Sequence, residues 1–350
     1  MLAFFDIETN GFDLNNTVVH CICATLDNGE DTIYNFLGED NVKQFEEWLG
    51  VEHVCVLSGH NIIGFDLPVL RRVGGFTWDL GVRDTLVLSR LANPSMDGGH
   101  SLRNWGQTLG DFKDDYSGGW ETFSGEMLKY CQQDVRVTKA TYDKLQILLR
   151  DVDEQAIVLE HDVFRIIKQQ EENGMLINER AAYDLLAELK DKVLTIETKV
   201  HERFEPLPTW TPLNVLKNPT RKDGTNSVAY QKQLDRGAHL NEDKEWGYID
   251  YPTFNLGSRQ QVARHLQHFG WKPKKFTDKG SIIVDEKTLD GVDIPEAKLI
   301  LEYFTISKRV AMIKSWIEAI SEEDGRVHGS VNSCGAVTGR MTHSKPNLAQ

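Results

Sequence analysis

Residues 1–11 read MLAFFDIETNG, and the two carboxylates in that stretch decide how the front of the chain is read. Leu2–Glu8 has the large apolar residues of a buried β-strand, with Phe4, Phe5 and Ile7 flanking Asp6 and Glu8. Alternation along a strand puts Asp6 and Glu8 on one face. Two carboxylates side by side in apolar surroundings repel unless something positive sits between them. Taken alone, the pair also fits a solvated strand edge.

Working outward, Val18–Leu26 and Thr32–Phe36 read as two further strands joined across Asn28-Gly29, a hairpin signal. Val42–Leu49 has helical spacing and His53–Ser58 is a short apolar strand. Helical stretches follow around Asp66–Val73 and Asp84–Leu91, then a Gly-rich polar loop over 92–125, then a long helix from about Glu126 to Leu149. Antiparallel strands followed by alternating helices and strands predict an α/β domain, a mixed sheet with helices on both faces. Past residue 150 the pattern becomes mainly helical. Gln155–Glu172 stops at Asn173-Gly174, and Asn178 caps a second long helix. In that helix Ala182, Leu186, Leu189, Val193, Ile196 and Val200 step by 4, 3, 4, 3, 4, the spacing of a helix–helix seam. Residues 206–254 read as irregular, Ser258 caps another helix, and Val284–Lys314 returns to helical spacing.

Composition excludes little. The 350 residues are 40% hydrophobic and 26% charged, ordinary for a globular chain of two or three domains. No apolar run approaches the ~18 residues of a membrane span, so no membrane partner is expected. The five cysteines lack zinc spacing and read as free thiols of a cytoplasmic protein. The net charge of −14 is unevenly spread: residues 1–150 hold 22 acids against 12 Lys/Arg, and residues 205–280 hold 8 against 12. Bound cations can reverse an acidic field, and a basic stretch can hold a nucleic-acid backbone, so charge does not exclude an anionic substrate.

Two more acids stand in places like those of Asp6 and Glu8. Asp66 follows His60-Asn61-Ile62-Ile63-Gly64-Phe65 and opens an apolar helix, where an N-cap is the ordinary reading. Asp134 lies four residues after Tyr130, so both project from one face of the long helix. Asp6-Ile7-Glu8-Thr9, His60-Asn61-x4-Asp66 and Tyr130-x3-Asp134, in that order, resemble the proofreading exonuclease of DNA polymerases, of the DEDD nucleases with a tyrosine in the third motif. That resemblance implies an RNase H-like fold and hydrolysis of DNA from the 3′ end with two Mg2+ ions, Mn2+ able to substitute. It implies that Asp6 bridges both ions, that Glu8 and Asp134 complete the site of the ion activating water, that Asp66 serves the second ion, and that Tyr130 orients the water. His60 and Asn61 are then expected at the DNA.

The likeness continues. Lys275-Phe-Thr-Asp-Lys-Gly-Ser-Ile-Ile-Val-Asp-Glu and the run from His328 through Thr338-Gly339-Arg340 to Pro346-Asn347-Leu348-Ala349-Gln350 are similar to family A DNA polymerases of short-tailed bacteriophages. By that resemblance 1–150 is the exonuclease domain, 151–325 the thumb and 326–350 the first segment of the palm. Arg340, Asn347 and Gln350 then contact primer–template DNA. Residues 206–254, with Trp210, Lys217, Arg221 and Lys222, stand where such enzymes carry an insertion for a processivity protein; a basic loop is the alternative. No counterpart of the palm aspartates or of the nucleotide-binding fingers occurs in these residues, so nucleotide transfer by this chain alone is not expected. A second polypeptide supplying palm and fingers, or a truncated product, is the expectation for synthesis; a non-catalytic DNA clamp is the competing reading.

Overall fold

The structure is a computed structural model, and residues 1–11, 17–110 and 116–349 are described. Its first strand, β1 (Leu2–Thr9), pairs antiparallel with β2 (Val19–Leu26), which pairs antiparallel with β3 (Tyr34–Leu37). After α1 (Asn41–Val51) the chain returns as β4 (Val56–Gly59), parallel to β1 on its other side. Then α2 (Asp66–Gly74) leads to β5 (Gly81–Asp84), parallel to β4, giving a five-stranded mixed sheet of order β3-β2-β1-β4-β5. Helices α3 (Thr85–Ala92), α4 (Leu102–Leu109), α5 (Gly125–Leu148) and α6 (Glu154–Asn173) follow, then the two-residue strand β6 (Met175–Leu176).

The strand period of two sorts β1 between two cores. Ala3, Phe5 and Ile7 face one side, packed with Ile22 and Ala24 of β2, Phe45 and Leu49 of α1 and Leu70 of α2. Phe5 and Phe45 are fully buried, each worth about 1.5–3 kcal/mol of transfer free energy. Phe4 faces the other side, against Cys21, Cys23 and the α5 residues Cys131 and Val135. Asp6 and Glu8 share the parity of Phe4, so they too face the α5 side.

The second unit begins with α7 (Glu179–Arg203). A three-stranded sheet of β7 (Thr209–Pro212), β8 (His239–Leu240) and β9 (Trp246–Asp250), ordered β7-β9-β8, encloses α8 (Val228–Asp235) in sequence. Helices α9 (Arg259–His268), α10 (Glu286–Leu289) and α11 (Pro295–Glu318) complete it. All six seam positions of α7 join one core with Ala297, Ile300, Phe304 and Ile313 of α11.

The chain then returns to the first unit. β10 (Arg326–Val327) pairs with β6, and β11 (Ser330–Asn332) with β12 (Thr342–Ser344) forms an antiparallel pair. Compact division thus falls after Leu176 and after Glu318, where the sequence reading places boundaries at 150 and 325. The reason is α6: Phe164 joins the β1 core and Ile157 packs with Leu88, Trp105 and Leu145. Among the described residues no helix is long and apolar enough to cross a membrane.

Three sequence expectations need correction. The stretch 92–125 is not all loop, because Ser101 caps α4 through Asn104 N–H and Leu102 and Trp105 are buried. Residues 206–254 are not irregular; Trp210 pairs opposite Ile249, and Tyr230 stacks on Trp246 at 5.9 Å. The helical spacing from 284 to 314 is broken between α10 and α11, where Asp290-Gly291 and Pro295 interrupt it.

Candidate active site

Strand β1 carries Asp6 opposite Cys23 and Glu8 opposite Cys21 in the antiparallel ladder. Directly paired residues share a face, so both carboxylates lie beside these thiols. Across them passes α5, whose Cys131 thiol reaches the Asp6 carbonyl at 3.4 Å. One carboxylate oxygen each from Asp6 and Glu8 and the Cys131 sulfur lie within 4.8 Å of one another. All five cysteines are free, as expected from their spacing. The Cys21 thiol is held well below its usual range by hydrogen bonds from Cys131 and then Cys23, whereas burial pushes Cys131 up.

Asp66 reaches the same place from α2. It is buried, and the backbone of Ile7, the residue between Asp6 and Glu8, is close enough to act on its carboxylate. Burial pushes its pKa up to about 7, with the charges of Asp84 and Asp134 adding to the effect. Asp134 is buried on α5 and lies one turn from Tyr130 on the same side of that helix. Of the four sequence-predicted acids, Asp6 and Glu8 come together beside Cys131, and Asp66 stands near enough to Asp134 to feel its charge. A carboxylate that favours its proton because of burial and like charges is one that a divalent cation would stabilise. The donors are hard oxygens, the kind Mg2+ or Mn2+ takes, and they fit such ions.

Tyr130 is half-buried and enters an aromatic group with Tyr116 (ring centroids 5.7 Å) and Trp120 (6.1 Å). A cavity of about 560 Å3 beside it is lined by Tyr116, Tyr130, Gln133 and Arg136 among others. His60 and Asn61 lie in the loop between β4 and α2. His60 Nδ1 is 2.9 Å from Thr85 Oγ1, and Asn61 takes a left-handed φ of 64° with its side chain folded over Gly64. A Cβ at Gly64 would meet Asn61 Oδ1 at 2.5 Å, so any larger residue there would have to displace the Asn61 side chain.

The remaining expected contacts stand elsewhere in the first unit. Arg340 is exposed between β11 and β12, with its Nε donating to Thr338 Oγ1 at 3.3 Å. Asn347 accepts from Ala349 N–H at 3.0 Å, and Gln350 lies outside the described residues. The segment is fastened to α6, where Glu171 accepts from Val331 N–H at 2.7 Å. In the second unit, a cavity of about 540 Å3 is ringed by Lys272, Lys274, Lys275 and Lys287 beside Trp271.

Sequence reasoning missed two participants. Asp84 is wholly buried next to this constellation, and His161 donates no charge to it: burial holds the imidazole down to about 4. Asp84 had a legible signal as the N-cap of α3. His161 had none, since one histidine inside a helical pattern says nothing about its neighbours.

Comparison with known proteins agrees with the sequence resemblance. The family model for DNA polymerase family A matches residues 226–350. Over 99% of its length the chain is 28% identical to the DNA-directed DNA polymerase of Escherichia phage T7 and 29% identical to that of Enterobacteria phage T3. Over 83% of its length it is 25% identical to DNA polymerase I of Aquifex aeolicus. These matches support a likeness to family A DNA polymerases of the phage type. The chain spans 62% of the length of each phage relative. A solved structure, the POL domain of Pol1 from M. smegmatis in complex with DNA primer-template and dNTP, shares the fold with a TM-score of 0.62 at 14% identity; the match covers 99% of this chain and 51% of that one.

Proposed function

We propose that residues 1–150 form an RNase H-like 3′–5′ exonuclease, the proofreading part of a phage-type DNA polymerase. The observation that carries this reading is the pairing of Asp6 and Glu8 on β1 beside Cys131 of α5, with a buried Asp66 close enough to Asp134 to feel its charge. Asp6, Glu8, Asp66 and Asp134 would hold two divalent ions, Mg2+ or Mn2+. When bound, such ions activate water and stabilise the leaving oxyanion of a phosphodiester.

The chain's own groups have the remaining tasks. Tyr130, one helical turn from Asp134, offers a phenolic hydroxyl to orient the attacking water by hydrogen bonding. His60 and Asn61 border the acids and would receive the frayed 3′ end. The lysine-ringed cavity of the second unit supplies positive charge for a DNA backbone, consistent with a thumb, and Arg340 and Asn347 would meet the primer–template from the palm segment. DNA is the proposed partner, and a processivity protein at 206–254 remains part of the proposal.

The test is digestion of a 5′-labelled DNA with a 3′ overhang by the full chain, with Mg2+, with EDTA, and with Asp6→Ala. A metal-dependent ladder of 3′ shortening, absent in the variant, is expected. Equal cleavage by Asp6→Ala would overturn the metal-site assignment.

A further inference from the structure

The loop that delivers Asp66 is shaped by a carboxylate outside it. Asp84 ends β5 and caps α3 and is 0% exposed. Its Oδ1 accepts from Asn61 N–H at 2.9 Å and from Leu86 N–H at 2.9 Å, and its Oδ2 accepts from Ile63 N–H at 3.0 Å. The next residue grips the start of the same loop: Thr85 Oγ1 donates to Gly59 O at 3.2 Å and sits 2.9 Å from His60 Nδ1. Behind them stands His161 of α6, whose Nε2 accepts from Asp84 N–H at 2.8 Å. Its Nδ1 donates to Ile157 O at 2.8 Å, which defines the tautomer.

An N-cap alone needs one acceptor oxygen, directed at its own helix. Here two of the three accepted bonds run to the neighbouring loop, and both oxygens are used. The loop has cause to need them. Asn61 is a non-glycine residue in the left-handed region, a conformation costing about 1–3 kcal/mol that persists only where its surroundings enforce it. Three residues after Ile63, the backbone enters α2 at Asp66. A loop pinned at residues 59, 60, 61 and 63 fixes where α2 starts and so where Asp66 stands. We infer that Asp84, with Thr85 and His161 behind it, is a positioning residue that fixes the 60–65 loop and so aims Asp66 at the metal site, without itself touching metal or DNA. This rests on the two-metal reading above.

Asp84→Asn keeps the shape and the bonds at Oδ1 but puts an NH2 against Ile63 N–H. Thr85→Val removes the grip on Gly59 and His60 with little change of volume. Both full-length variants are compared with the unmodified chain for melting temperature, for Mn2+ affinity by electron paramagnetic resonance well below melting, and for kcat and KM on single-stranded DNA. Expected for Asp84→Asn is a loss of about 10–100-fold in affinity for one Mn2+, the scale seen when groups orienting metal ligands are removed. A matching fall in kcat at limiting Mn2+, an unchanged KM for DNA and partial recovery at high Mn2+ should accompany it. Thr85→Val should show the same pattern more weakly. A helix cap without a positioning role would lower melting alone. Unchanged Mn2+ affinity and kcat in the folded variants would overturn the inference, and should Asp84→Asn fail to fold, Thr85→Val decides it. Asp6→Ala run in parallel separates the two claims: if that variant still cleaves and binds two Mn2+, the two-metal reading fails whatever Asp84 does.

Discussion

The two units bury charge in opposite ways. Among the described residues, the first buries Glu8, Asp66, Asp84 and Asp134, and the second buries Glu296. Glu296 has an ordinary structural solution, the Arg203 guanidinium at 2.5 Å, which holds its pKa below the usual range and joins α7 to α11. Asp84 is held by the backbone N–H groups of Asn61, Ile63 and Leu86, and the pKa values of Asp66 and Asp84 are both raised by burial. A buried acid with its own arginine belongs to the scaffold. Buried acids pressed against each other store an unfavourable interaction that a bound cation would relieve, and they mark a site.

The strongest way to break that contrast is Asp6→Ala. It should lower cleavage about a thousandfold or more, since metal-borne charge stabilisation is worth several kcal/mol, while DNA binding through the lysines of the second unit persists. Rates and gel-shift binding on the same DNA would read both. Equal loss of binding would mean that the acid site, and not the lysine cluster, holds the substrate.

Next in size are the cores, which are separate clusters. Phe45→Ala should cost about 3–5 kcal/mol and Ile300→Ala about 2–5 kcal/mol. Hydrogen exchange on the intact chain should locate the first loss in residues 1–176 and the second in 177–318. Spread of either loss across both units would show that the cores unfold together.

A smaller effect separates the units by pH. Burial depresses His161 in one unit and His265 in the other to about 4. A histidine whose folded pKa lies below its unfolded value contributes stability above about 6.5 that is lost as pH falls toward 4. Asp66, raised to about 7, has the opposite sign: in EDTA its contribution is present at low pH and lost as pH rises through 7. Acidification from 7 to 4.5 should therefore weaken the second unit by about 2 kcal/mol and the first by less, since Asp66 offsets His161 there. Hydrogen exchange in EDTA at both pH values checks this, and equal weakening would mean that Asp66 does not carry the raised pKa.

The smallest expected effect is at the surface. Lys192→Ala breaks an exposed pair with Glu188 one turn away on α7, and no resolvable change in melting temperature is expected.

Much of the site was legible because its residues sit in strongly patterned segments. The alternation of residues 2–8 placed Asp6 and Glu8 on one face, and the four-residue step placed Tyr130 and Asp134 on another. The α7 seam was readable for the same reason, a period sustained over 19 residues from Ala182 to Val200. Two short elements escaped the reading: β5 (GVRD) has a single large apolar residue, and α4 (LRNWGQTL) carries an interior glycine within a Gly-rich polar stretch.

Periodicity and local capping thus determined which residues face inward together on each element, because they depend on neighbours within a few positions in the chain. Tertiary structure alone decided that Cys21, Cys23 and Cys131 line the acid site, that Asp84 clamps a loop 21 to 23 residues before it, and that His161 from a helix 77 residues later backs that clamp. Those contacts join segments whose local patterns are independent. Only the closing of the sheet and the packing of α3, α5 and α6 against it bring them within bonding distance.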